Sequence, residues 1–179
     1  MTLQTGQLVI LLTNPSLSAG YGGAQADAQA SLGKYASTSQ VQTNVSNNLF
    51  GAVSGAGVSA GQTDYRCVAV ANLSAVDTAF SAAVYAVDAA GGGKYSLGLD
   101  PVGVVDLTSA AAQGASVAAP GLVAPAGVAF TDATAAAPLN IGNIAPQKCI
   151  LVWVRCTVAA GTPGTANDIA DLVAFALTQ

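Results

Sequence analysis

Few side chains in this chain of 179 residues can do chemistry: nine acidic residues, all Asp, five Lys and Arg, three Cys, and no Glu or His. Zinc needs clustered Cys, His or carboxylate ligands. Cys67, Cys149 and Cys156 form no C-x-x-C pair and no His accompanies them, so no metal is expected. Cys149 and Cys156 fall on what reads as one strand, where about 3.3 Å of rise per residue carries them beyond disulfide reach. Three free, buried thiols in a reducing compartment are expected, and a bridge from Cys67 to one of the others stays open. The Asp residues are scattered singly through apparent turns, which supplies no carboxylate pair for acid–base or glycosidic chemistry. The chain is therefore expected to be non-enzymatic, with no cofactor.

Two glycine-rich segments imitate phosphate loops. Gly55-Ala56-Gly57-Val58-Ser59-Ala60 has a dinucleotide-like spacing, and Asp77 follows at a plausible distance. A strand pattern follows it where a helix is required. Gly91-Gly92-Gly93-Lys94 is followed by Tyr95 instead of Ser or Thr, so it reads as a turn. Asn44-Val45-Ser46 and Asn72-Leu73-Ser74 are glycosylation sequons by letter, without a secretion signal.

The elements that must position these residues come from a chain that is 52% hydrophobic with a mean hydropathy of +0.53. Gly and Pro interrupt it too often for a membrane span. The net charge of −4 and a pI near 4.2 oppose neutralisation of phosphates, which excludes nucleic acid as a main ligand. The apolar run Leu8 to Leu12 has no Lys or Arg before it and is too short for a signal peptide, so folding in the cytoplasm where the chain is made is expected. Length and the lack of a polar linker predict a single domain over residues 1–179. Aromatics are 6% of the chain and small residues abound, which predicts a thin core and a homo-oligomer that buries further surface against its own copies.

Residues 8–13 (LVILLT) read as a strand covered on both faces. Residues 14–60 read as either a long polar loop with local turns or an arm lying on a neighbouring subunit, with a short strand near residues 41–45. Residues 65–72 (YRCVAVAN) and 80–87 (FSAAVYAV) read as an antiparallel pair joined through LSAVD, and residues 94–100 (KYSLGLD) as a third strand of that kind. Residues 107–131 carry no charge, and Pro120 and Pro125 exclude a spanning helix. That segment is read as extended loop, at the surface or between subunits, with a candidate Ala helix over residues 109–113. Residues 139–146 give a short strand ended by Pro146. The strongest strand is Lys148–Val158 (KCILVWVRCTV), with Ile150, Val152, Val154, Cys156 and Val158 on a core face. Residues 169–177 supply the last strand. Trp153 has two open roles on the other face: packing under an overlying layer, or anchoring a subunit interface together with Arg155.

The pattern predicts an all-β antiparallel sandwich, Ig-like or jelly-roll, with long loops and an N-terminal arm. VAVANL, FSAAVYAV and GNIAPQKCILVWV follow the order of an Ig-like sandwich, although Trp153 shares its strand with Cys149 and Cys156. NNLFGAVSG (47–55), TDYRCVAVAN (63–72) and IAPQKCILVWVRCTVAAGT (144–162) together resemble small tailed-phage virion structural proteins of the capsid decoration or cement type. The resemblance rests on these three segments, 38 of the 179 residues. It implies a virion localisation, with the major capsid protein and copies of the chain itself as partners; a neck, tail or fibre component, or an Ig-like surface-binding module, is the alternative.

Overall fold

The computed structural model describes residues 7–17, 21–43, 45, 48–88, 94–162 and 170–177. Among these, nine strands form: β1 (Leu8–Thr13), β2 (Ala36–Gln40), β3 (Gln62–Asn72), β4 (Ala79–Asp88), β5 (Lys94–Leu99), β6 (Val105–Asp106), β7 (Leu139–Ile144), β8 (Lys148–Val158) and β9 (Ala170–Leu177). The protein is an all-β sandwich of two antiparallel sheets. The larger runs β2-β1-β3-β8-β5, with β6 also beside β8, and the smaller runs β7-β4-β9. Among the described residues no helix is long and apolar enough to cross a membrane.

Strand β8 organises the large sheet because its side chains are apolar on both faces. Ile150, Val152 and Val154 join Val68, Val70 and Leu97 against Val84 and Leu172 of the small sheet. On the reverse face Cys149, Leu151 and Trp153 pack with Leu11, Cys67, Ala69 and Leu107. The sequence reading of a single core face on this strand is therefore corrected: both are core. Register explains how the indole fits, since Trp153 lies between Cys67 of β3 and Gly98 of β5, two small neighbours. A side chain at Gly98 would also collide with the backbone of Ala129.

The expected hairpin of residues 65–72 with 80–87 does not form. Strand β3 pairs with β1 and β8, whereas β4 pairs with β7 and β9 in the other sheet. Asn72 directs this crossing: its buried Nδ2 donates to the carbonyls of Asp77 (2.8 Å) and Ile144 (2.9 Å), and its Oδ1 accepts from the Ser74 amide (3.0 Å). The chain thus turns over between sheets instead of back beside itself. Those bonds also bury the sequon asparagine, while Asn44 and Ser46 of the other sequon lie outside the described residues, as does the Gly91–Gly93 turn.

Three local expectations are also corrected. The short strand expected at 41–45 falls instead at Ala36–Gln40, where pairing with Leu11 and Thr13 of β1 supplies the ladder. Residues 109–113 are not helical: Gln113 is fully buried and its side chain bonds backbone groups, in competition with a helical ladder. The segment Gly55–Ala60, read as loop, is a six-residue helix (α1), with Ser54 Oγ accepting from Gly57 N (3.2 Å) before β3 begins.

Candidate interaction surface

Residues 21–35 and 107–131, two long stretches without regular strands, bond to each other and form a third layer over the reverse face of the large sheet. Lys34 N donates to Ala115 O (2.9 Å), Gln113 N to Lys34 O (2.8 Å), Val117 N to Leu32 O (3.1 Å) and Tyr21 N to Leu107 O (2.7 Å). Leu32, Tyr35 and Ala36 are buried within their own chain. The order of these segments thus has an intramolecular source.

Buried polar side chains hold the layer down, as unpaired backbone groups under it would be costly. Asp100, at the end of β5, accepts from Trp153 Nε1 (3.0 Å) and Ala115 N (2.8 Å) with Oδ2, and from Val102 N (3.0 Å) with Oδ1. Gln113 Oε1 accepts from Ala36 N (2.7 Å), while its Nε2 donates to the carbonyls of Leu107 (2.6 Å) and Asp106 (3.0 Å). Ser31 Oγ accepts from Thr13 N (2.7 Å) and donates to Cys67 O (2.6 Å), which ties the first loop to β1 and β3.

On that base the layer presents an uncharged apolar tip. Gly121, buried and at φ +83°, accepts from Tyr65 N (2.7 Å) and has no room for a side chain beside Arg66. Directly after it Leu122 and Val123 are 51% and 67% exposed. The turn carrying Val102 and Val104, both exposed, borders this stretch where Gly127 lies against Pro101. Exposed apolar groups on an anchored loop are what a docking surface requires.

Trp153 and Arg155, singled out from the sequence, are the floor of this layer and not its surface. Trp153 has no exposed area, so it presents nothing to a partner. Arg155 is half-buried: its Nη2 donates to Ser96 Oγ (3.0 Å), its guanidinium lies 5.0 Å from the Phe130 ring centre, and its buried Nε has no hydrogen-bond partner. Asp100 and Gln113 were missed. The signal for Asp100 was its position before Pro101 at a strand end, together with the need of a buried indole N–H for an acceptor.

The remaining reactive groups serve the fold. Cys67, Cys149 and Cys156 are buried free thiols. Burial pushes Cys67 well above the usual thiol range and Cys149 to about 12, so both are held as thiols at neutral pH. Burial likewise lowers the pKa of Arg66, against the opposing pull of Asp64 and Asp27. Among the described residues no group of three or more Cys or Asp stands close enough to hold a metal ion. No protein-family model, curated protein or solved structure matches this chain.

Proposed function

We propose that this chain is a non-enzymatic virion structural protein, a homo-oligomeric decoration or cement protein that clamps neighbouring subunits of a phage head shell. The observation that carries the reading is the loop layer, which with the adjoining turn exposes Leu122, Val123, Val102 and Val104 on a base fixed by Asp100 and Gln113. The particle itself comes from the sequence resemblance. Its three segments take in β3, β8 and the stretch before α1, and β3 and β8 are strands on which the layer rests.

Clamping needs no reaction. A protein that binds the assembled lattice and not its separated subunits shifts the equilibrium toward intact shells. Each apolar side chain buried in a seam contributes about 1.5–3 kcal/mol at most, and several copies acting together raise the total through multivalency. The chain's net charge of −4 suits a position away from packaged DNA.

The test is sedimentation of the purified chain with assembled shells and, separately, with dissociated shell subunits, followed by image reconstruction of the particle. Density over seams between shell subunits, lost in a Leu122→Asp/Val123→Asp variant, is the expected outcome. Density confined to the neck, tail or fibres overturns the shell assignment.

A further inference from the structure

A second concave feature lies apart from the loop tip. A groove of about 830 Å³ is bounded by the end of β2, the turn at residues 25–29 and Val41, Gln42, Thr43, Val45 and Asn48. Its size is in the range of small-molecule sites. Leu12, Val41 and Val45 supply apolar lining, and five of the other lining side chains are amides: Gln25, Gln29, Gln40, Gln42 and Asn48.

Two of those amides are structural. Gln25 donates through Nε2 to the carbonyls of Thr13 (3.2 Å) and Ala30 (3.3 Å) and accepts from Asp27 N (3.2 Å). Asn48 donates through Nδ2 to Gln42 O (2.8 Å), fixing the opposite wall. Gln40, Gln42 and Thr43 differ: all are exposed, and their side chains bond nothing among the described residues. The groove is therefore lined by committed amides and, beside them, by two uncommitted amides and a hydroxyl.

We propose that this groove binds a neutral polyhydroxylated ligand, a short chain of uncharged sugar units. An amide offers a donor and an acceptor side by side, which matches adjacent hydroxyls that each donate and accept. The Leu12, Val41 and Val45 side chains suit the C–H face of a sugar ring. Asp27 is the one charged side chain among the described lining residues, and it opposes an anionic ligand. With no second carboxylate across from it, the arrangement binds a glycosidic bond without the pair that hydrolysis needs.

The experiment is NMR titration of the ¹⁵N-labelled full chain with maltotriose and with cellotriose, and with 3′-sialyllactose as the anionic arm. Saturable shifts of the Gln40 and Gln42 side-chain amides by one of the neutral trisaccharides, with Kd on the order of millimolar, are expected. Gln40→Ala/Gln42→Ala should weaken binding about tenfold, with the other backbone resonances unmoved. No saturable shift from either neutral sugar, shifts elsewhere on the molecule, or equal binding of the anionic sugar overturns the proposal. The groove shares no residue with the Leu122–Val123 tip, so either proposal can fail without the other.

Discussion

The two sheets of this sandwich meet water differently. The large sheet is buried on both faces, by the small sheet on one side and by hydrogen-bonded loops on the other. The small sheet is buried on one face and leaves Tyr85, Val87 and Phe175 partly or largely open on the other, with the Tyr85 and Phe175 rings 6.1 Å apart. The difference shows that irregular chain can substitute for a third layer of secondary structure when buried side chains satisfy its backbone. Asp100, Gln113, Ser31 and Thr13 do so here, and no comparable set lies over the outer face of the small sheet among the described residues.

The sharpest way to break this contrast is Trp153→Ala. It removes the largest fully buried side chain and leaves Asp100 without its indole donor, and a loss of about 3–5 kcal/mol is expected in urea unfolding. A loss under about 1 kcal/mol would mean that the loops do not rest on this face.

Next in size is Asp100→Ala, which leaves three donors unanswered; about 2–4 kcal/mol is expected from the cost of unpaired buried groups. Hydrogen exchange adds a spatial test. Amides of residues 101–131 should lose protection while those pairing β4 with β9 keep theirs, and uniform loss would deny that the loop layer is a separate unit.

On the small sheet, Phe175→Ala should cost at most about 1.5 kcal/mol, because the ring is 38% exposed and its main partner is the edge contact with Tyr85. A loss equal to that of Trp153→Ala would show that this face is covered in solution.

The smallest effect concerns Asp132. Bonds from Lys94 and Ser96 hold its carboxyl below the usual range, though it is exposed. A depressed folded-state pKa contributes stability above the unfolded value, lost as pH falls through the folded one. Wild type and Asp132→Asn should therefore differ slightly at neutral pH and converge in acid. A gap that widens on acidification would reverse the sign.

The strands were legible where one segment carried its own pattern. The apolar run in residues 148–158 let both bounds of β8 be read directly, though not the burial of its second face, and residues 8–13 announced burial on two faces. Strand partnership was not legible: residues 65–72 and 80–87 look alike, and the choice between hairpin and crossing rests on what Asn72 bonds 72 residues away at Ile144. The loop layer was invisible for a related reason. Its order depends on Gln113 reaching Ala36 and Asp100 reaching Ala115, contacts without a periodic trace. Lack of charge marked residues 107–131 as unusual, yet that feature suits a subunit contact and a self-contained layer equally well. Trp153 carried both meanings until its indole N–H was seen to have an acceptor inside the chain.

The pairing of β3 with β8 also has a consequence in time. Ten residues of β3 meet ten of β8, the nearest partners being Ala71 and Cys149. Some 80 residues must leave the ribosome after β3 before its neighbour exists, roughly 4–16 s at ordinary synthesis rates. Throughout that interval one edge of β3 has no β8 to pair with, and the alternating Val and Ala of its sequence are a template for any other extended chain nearby. High contact order makes closure of this pair a slow step even after release, in the range of milliseconds to seconds for comparable β folds. Yield in the cell should accordingly fall with expression rate and recover on cooling, even for variants whose folded form is as stable as the parent.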